Sequence, residues 1–351
     1  MAGDLRLLIP GLLGPVAPDR QAGLEAALAA GPAPMRLSRL LARAEPLAGL
    51  APDPDRALLA AFGVAARPDE DLPSAPFCHL ADAPDAPGGG YWLHADPVHL
   101  RPDRAQVRLF DARSLDLSEA EAGELVALFN AHFAATGTRL LAPTPTRWYL
   151  HLGAAPGLRT TPLAMVVGRP VAPCLPRGEG AEHWAALLNE AQMLFHGADV
   201  NRRRQAAGRP SINGIWPWGG GRLPASPPEA LLFARVQASA PLAVGLARWA
   251  GVPVADDGLP ALAGDEPLGD SLVYWDTPLA ALRDGDPAAW VAAIARLDAW
   301  LADLPAALRR GRPAALVLDP CIGHGWRIDR RVLLRLWRRP RPLLARLVRA
   351  T

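Results

Sequence analysis

The stretch Asn201-Arg-Arg-Arg-Gln-Ala-Ala-Gly208-Arg-Pro-Ser-Ile-Asn213-Gly-Ile-Trp216-Pro-Trp218-Gly-Gly-Gly221-Arg222 is the most informative in the chain. Val200–Gly208 reads as a helix that continues or restarts the one over Glu179–His196. Ser211–Pro224 reads as a Gly- and Trp-rich loop around a short strand at Ile212–Trp216. Gly219 and the two glycines after it permit close backbone approach. Asn201 and Asn213 can donate and accept. Arg202, Arg203, Arg204, Arg209 and Arg222 can fork onto carboxylate or phosphate oxygens. Such a segment suits an anionic ligand, with Trp218 and Gly219 beside it. It equally suits a tightly fixed loop in which tryptophans fill core, glycines serve turns and arginines are solvated. It is not a phosphate loop, because neither Lys nor Ser/Thr follows the glycines.

Outward from this stretch, strands alternate with helices. Ala240–Trp249 and Asp286–Leu308 read as helices, and Ser271–Trp275 and Ala314–Leu318 as strands. Across 175–320 this argues for a parallel α/β sheet with helices on both faces. Leu5–Ile9 is a strand ending at Pro10-Gly11, and Leu24–Ala30, Leu37–Ala44 and Arg56–Phe62 are helical. Asp82–Gly90 is the clearest linker. After it, Tyr91–Leu100, Val107–Phe110 and Arg147–Leu152 are strands. Ser118–Thr136 is a helix opened by a Ser118/Glu121 capping box. Residues 85–172 thus have the content of a small α+β unit.

Composition narrows the classes. The 351 residues carry 37 basic and 35 acidic side chains, a formal charge of +2, which argues against a generic polyanion binder. Every basic residue is arginine, read first as a coding bias. Half the residues are hydrophobic, enough for a sizeable core. Cys78, Cys174 and Cys321 are too scattered for a disulfide framework or a CxxC site, so a reducing, cytoplasmic setting is expected. No signal peptide and no membrane span are expected. Nucleic acid is not expected as a partner.

Other constellations carry less. His94, Asp96 and His99 invite a metal reading, but His99 faces away from the other two in an extended segment. Asp276, Asp284 and Asp286 follow a strand, with Asp286 before Pro287 reading as a helix cap. Asp319, Cys321 and His324 follow another strand. Arg335–Arg349 mixes six arginines with leucines. It could touch nucleic acid or a membrane surface, but a solvated helix face or a frayed tail is the simpler reading.

Leu175-Pro-Arg-Gly-Glu-Gly-Ala-Glu182, with Val200–Gly219, resembles the middle of the archaeal-type cofactor-independent phosphoglycerate mutases of the alkaline-phosphatase-like superfamily. With Trp92–Leu100 and its Ala-Asp-Pro-Val-His-Leu core included, the chain is more similar to the RpfE-type regulatory proteins. The resemblance covers roughly residues 5–330. It implies a three-layer α/β core with a mostly parallel sheet plus an inserted α+β subdomain. The core would be 1–84 and 173–330, the insertion 85–172, and 331–351 an Arg/Leu-rich C-terminal segment.

The resemblance also implies two metal ions and a hydroxyl nucleophile in the enzymes, and here this sequence departs. The first strand runs into Pro10-Gly11 instead of Asp-Gly. Pro278–Arg283 has Leu279 and Arg283 where the enzymes carry Asp and His. The late Asp-His pair is Asp319-Pro320, and Ala198-Asp199 replaces His-Pro. Ser38 lies in the right part of the chain for a nucleophile but is not convincingly placed. Losing four ligands should abolish a two-metal site. The expectation is therefore a catalytically degenerate, metal-free and cofactor-free protein with a regulatory or anion-sensing role. Its ligand surface would be Asn201, Arg202, Arg204, Asn213, Trp218, Gly219, Arg222 and Arg283, and its partner a small anionic or phosphorylated metabolite. The alternatives are an active mutase, or a metal-dependent phosphoryl hydrolase with a relocated site on Asp276, Asp319 and His324. A protein-interaction module is the third reading.

Overall fold

Leu5–Leu8 forms β1, followed by α1 (Pro18–Ala30), α2 (Met35–Arg43), β2 (Glu45–Ala48) and α3 (Pro54–Ala61). Next come α4 (Ser74–Asp82), β3 (Tyr91–Asp103), β4 (Gln106–Asp111), α5 (Glu119–His132), β5 (Arg139–Leu141) and β6 (Tyr149–Leu152). Two short strands, β7 (Leu158–Arg159) and β8 (Arg177–Gly178), precede α6 (Ala181–His196), α7 (Asp199–Ala206) and β9 (Gly214–Gly221). The last part holds β10 (Arg235–Gln237), α8 (Pro241–Trp249), β11 (Val254–Ala255), β12 (Ser271–Tyr274) and α9 (Thr277–Asp284). It ends with α10 (Pro287–Trp300), α11 (Leu304–Arg309), β13 (Ala315–Asp319) and β14 (His324–Asp329). The computed structural model describes residues 3–65, 67, 70–85, 89–103, 106–227, 233–255, 258–263, 268 and 270–349. The chain divides into two units, 1–65 with 226–351, and 66–225.

The first unit is built on a seven-stranded sheet of order β11-β10-β12-β1-β13-β14-β2. The strands from β11 to β13 run parallel, and β14 is antiparallel to both β13 and β2. Period-2 alternation sorts the side chains. Leu5, Leu7, Val273, Trp275, Leu316 and Leu318 join one apolar cluster with α1, α2 and α10. Buried Leu8, Leu272 and Tyr274 lie outside it, as do α3 and α8, which pack on each other. Burial on both faces is what a parallel sheet requires. The helix expected over Asp286–Leu308 is two, α10 and α11, because the chain restarts at Leu304-Pro305 with proline in the first helical turn. Asp286 caps α10 by accepting from Ala289 N at 2.9 Å, as its place before Pro287 suggested.

The second unit is an antiparallel sheet centred on the thirteen-residue β3. Trp92 pairs with both His151 on β6 and Gly221 on β9, and Val98 with both Asp111 on β4 and Gly214 on β9. β9 therefore borders one edge of β3, while β6 and then β4 border the other. The expected capping box is present: Ser118 N donates to Glu121 Oε2 at 3.0 Å, and Glu121 N to Ser118 Oγ at 3.3 Å. The unit is wider than the expected 85–172. Trp184, Leu187, Phe195 and Val200 of α6 and α7 share a cluster with Leu125 and Phe129 of α5, and α4 packs on β9. The Ser211–Pro224 loop is instead mostly the eight-residue strand β9, with Pro217 tolerated because, among the described residues, β9 pairs with β3 alone. The Asp82–Gly90 linker joins α4 to β3 inside this unit, and residues 86–88 lie outside the described residues.

Buried Asp298 on α10 accepts the Leu37 N–H at 2.8 Å and meets Arg36 Nη1 at 3.3 Å. Asp298→Ala strands that N–H at the start of α2. It should cost about 1–3 kcal/mol of stability in urea denaturation of the intact chain, while Asp298→Asn, whose side-chain oxygen can still accept, should cost less.

Candidate functional site

Along the β3–β9 seam, His94 is the register partner of Trp218. The two rings stack at 4.0 Å, and Trp218 Nε1 donates to Asp96 Oδ2 at 2.8 Å. Asp96 Oδ1 also accepts from Trp148 N at 3.2 Å. His94 and Asp96 point the same way, as alternation required, while His99 Nδ1 is bonded to Ser211 O at 2.8 Å. Among the described residues, neither ring nitrogen of His94 has a hydrogen-bond partner, nor does His79 Nε2 or Ser74 Oγ. Burial pushes His94 down to about 3 and His79 down to about 4, so both are neutral at pH 7. Burial pushes the Asp96 carboxyl up to about 7, against the Trp218 and Trp148 donors that favour its anion. Nearby, Arg147 grips Asp82 with two bonds of 2.8 and 2.7 Å, and Tyr149 Oη donates to Asp82 at 2.7 Å.

The glycines are approached by the chain's own groups. Gly219 has φ +65°, and a Cβ there would lie 2.4 Å from Ser74 Oγ. A Cβ on Gly220 would meet Tyr91 Oη at 2.5 Å, and one on Gly221 would meet Pro73 Cβ at 2.4 Å. Gly219 N also donates to Thr160 Oγ1 at 3.2 Å.

The expected ligand residues divide by how their bonds are used. Asn201 is fully buried, donating to Phe195 O and Ile212 O and accepting from Ile212 N, each at 2.7 Å. Asn213 clamps Leu100 through its N–H at 2.7 Å and its carbonyl at 2.9 Å. Arg204 is fully buried, donating to Pro210 O at 2.8 Å, Glu121 Oε2 at 2.9 Å, Asp116 O at 3.3 Å and Leu115 O. Burial works against the Glu121 anion, yet the Ser118 N–H and Arg204 hold its carboxyl below the usual range. The hydrogen bonds of these three residues are spent inside the second unit. Arg202 is exposed and paired with Asp199. Arg222 lies over the Tyr91 ring at 6.0 Å and donates to Gly153 O at 3.1 Å. Trp218 stays half-buried while Trp216 is buried, donating to Thr161 O at 2.8 Å.

Arg283 belongs to the first unit, on α9, at the carboxyl edge of the parallel sheet. There Leu8 of β1 is in register with Tyr274 of β12 and Asp319 of β13. The segments after these strands set Gly11 against Leu279 of α9, and put Asp276, Arg283 of α9, Cys321 and Asp55 of α3 within electrostatic reach of Tyr274, with Asp53 beside Asp55. Gly11 has φ +78°, and a Cβ there would lie 2.5 Å from Leu279 N, so the first loop is closed directly against α9. Gly11 O accepts from Trp290 Nε1 at 2.9 Å. Burial and neighbouring Asp53 push Asp55 up to about 6, while Arg283 pulls it back. The Asp319 carboxylate is turned onto Cys321 N at 2.8 Å, where Cys321 has φ +60°. Burial, then Asp319, Asp53 and Asp55, push the Cys321 thiol well up, against a thiolate nucleophile. Ser38 is buried within α2. Sequence reasoning missed Asp53 and Asp55; the Asp53-Pro-Asp55 spacing ahead of a helix was their signal.

The donor set does not fit the two metal ions of the resembling enzymes. Among the described residues no group of three or more His, Cys, Asp or Glu side chains could hold an ion, Asp276, Asp319 and His324 included. Among the same residues no helix is long and apolar enough to cross a membrane.

Comparison with known proteins agrees with the architecture. The chain is 31% identical over 131 residues to a probable 2,3-bisphosphoglycerate-independent phosphoglycerate mutase of Geobacter sulfurreducens, covering 36% of this chain and 32% of that one. It is 37% identical over 67 residues to the corresponding mutase of Methanothrix thermoacetophila, covering 19% and 17%. The matches thus span a third or less of these curated relatives. A Pyrococcus horikoshii protein of solved structure superposes with a TM-score of 0.56 at 17% identity, over 93% of this chain and 87% of that one. The cofactor-independent phosphoglycerate mutase of Thermoplasma acidophilum gives 0.48 at 18% identity, over 93% and 89%. No family model matches. The fold is the expected mixed α/β class, with a mostly parallel central sheet and additional antiparallel sheets, and the chain is similar in sequence to cofactor-independent phosphoglycerate mutases.

Two tests follow from the second unit. Arg204→Met leaves the Pro210, Leu115 and Asp116 carbonyls without this donor and Glu121 with only Ser118 and Arg209 as partners, and should cost about 3 kcal/mol in urea denaturation; Arg204→Lys should recover little, lacking the fork. The histidines hold folded values below the unfolded 6.5, so their contribution is present above pH 6.5 and lost as pH falls toward about 4 and 3. Asp96 has the opposite sign, contributing below its unfolded value of 3.8 and losing that as pH rises through about 7. Asp96→Asn should therefore steepen the rise of stability between about pH 4 and 7, measured by denaturant midpoints across that window.

Proposed function

We propose that this chain is a catalytically degenerate relative of cofactor-independent phosphoglycerate mutase, of the RpfE type, acting in the cytoplasm as a regulatory sensor of a small phosphorylated or carboxylated metabolite. The carboxyl edge of the parallel sheet carries this reading. Gly11 packs against Leu279 where a metal ligand would stand, and the Arg283 charge acts on Asp55 and Tyr274. A guanidinium supplies a fixed positive charge without polarising a leaving group or lowering the pKa of a bound water as a divalent metal does. Arg283 would then hold an anion without turning it over. Within the second unit, a separate ligand surface would use Arg202, Arg222, Trp218 and Gly219, with Asn201, Arg204 and Asn213 holding that unit's fold.

The purified chain should show no interconversion of 2- and 3-phosphoglycerate and no phosphatase turnover with manganese; turnover abolished by chelation would overturn the reading. Titration calorimetry with 3-phosphoglycerate should detect binding that Arg283→Met weakens at least about tenfold, the loss of one charge-assisted contact. The same substitution removes the charge that lowers Asp55, so the Asp55 carboxyl should titrate above about 6 by NMR.

A further inference from the structure

After Asp329 the sequence holds eight arginines and no acidic residue. This segment is neither the solvated helix nor the frayed tail expected. It runs through short 3-10 turns, with Val332 and Leu343 buried in the first unit's core. Arg335 Nη1 donates to Arg43 O at 3.1 Å, and Val348 N to Leu13 O at 2.8 Å. Between the two buried anchors, Leu334, Leu336 and Trp337 stand out at 74%, 70% and 74% exposure. Beside them, Arg338, Arg339, Arg341 and Arg346 line an open cavity of about 450 Å³ whose apolar wall includes Leu41, Pro46 and Trp326. Arg346 Nε is buried without a hydrogen-bond partner, and among the described residues none of the four arginines has a carboxylate partner.

Two features must be satisfied together. A free anion would use the cavity and leave the apolar tip in water. A nucleic acid would use the arginines and could stack on Trp337, but has no use for two exposed leucines. An anionic bilayer engages both, through lipid phosphates at the arginines and Leu and Trp side chains at interfacial depth. We propose that this surface docks the protein on an anionic lipid bilayer, with a phosphate headgroup in the arginine-lined cavity and Leu334, Leu336 and Trp337 in the interfacial layer. The simpler reading of the Arg335–Arg349 sequence, a solvated face or a frayed tail, set a membrane partner aside. Docking of this kind needs no spanning helix and is independent of the anion proposed at Arg283.

The test is cosedimentation of the full chain with phosphatidylcholine vesicles, with and without phosphatidylglycerol. Binding should require phosphatidylglycerol, weaken with salt, and fall at least about tenfold in Leu336→Ser/Trp337→Ser and in Arg338→Gln/Arg339→Gln. All four residues are exposed, so both variants should keep the wild-type melting temperature. Equal binding to neutral vesicles, or undiminished binding by both variants, would overturn the proposal. So would absence of binding to the phosphatidylglycerol vesicles, in which case uptake of inorganic pyrophosphate, capture of an oligonucleotide, or a dimer that the apolar variant dissociates would identify the surface's actual occupant.

Discussion

A guanidinium with no exposure to water constrains everything around it. Removing the Arg204 charge from solvent costs several kcal/mol unless each donor is matched. The second unit is arranged to match them. Ser118 caps α5 so that its third residue, Glu121, faces the charge, and the turn at Leu115–Asp116 offers two carbonyls. Pro210 O takes Nε, which sets the return of the chain after α7. Asn201, one turn earlier on the same helix, then fixes Ile212 at the threshold of β9. The register of β9 on β3 follows, and with it the stack of Trp218 on His94.

That dependence explains why three glycines follow Trp218. β9 passes so close to Pro73, Ser74 and Tyr91 that any side chain at Gly219, Gly220 or Gly221 would collide with them. Close approach was legible in the sequence, but what approaches was not. The same glycines would serve a bound phosphate equally well, and composition does not separate a ligand from a neighbouring strand or helix.

Elements whose signals are local were readable. The Ser118/Glu121 box, the Asp286-Pro287 cap, and the apolar runs that became β1, β12 and β13 each carry their cause within a few residues. β9 was not readable as a full strand because glycine, proline and tryptophan disfavour none of its alternatives, and its partner β3 lies more than a hundred residues away. Arg204 failed for the same reason: whether an arginine is solvated or buried depended on Glu121, 83 residues earlier. The Asp82–Gly90 stretch reads as a linker because proline and glycine mark breaks between elements, and a break between α4 and β3 inside one unit has the same composition as one between units. At the candidate site, the strand-end residues Pro10, Asp319 and Pro320 were legible one by one, while Asp53 and Asp55 became visible only once the fold brought the start of α3 within electrostatic reach of Tyr274 and Cys321.

The two units therefore carry different kinds of information about function. The Asn201–Arg222 stretch is the sequence feature that most resembles the mutases, yet its asparagines, buried arginine and glycines are required by the architecture. A segment required for folding persists in an active enzyme and in one that has lost its chemistry, so its presence cannot distinguish them. The carboxyl edge of the parallel sheet is under no such requirement. A parallel strand can end in aspartate or proline without disturbing its neighbours, because the ladder bonds lie upstream of that residue. Pro10 and Pro320 follow the last ladder bonds of β1 and β13, so the sheet does not dictate them, and function is to be read from them together with Arg283, Asp53 and Asp55 and not from the Asn201–Arg222 stretch.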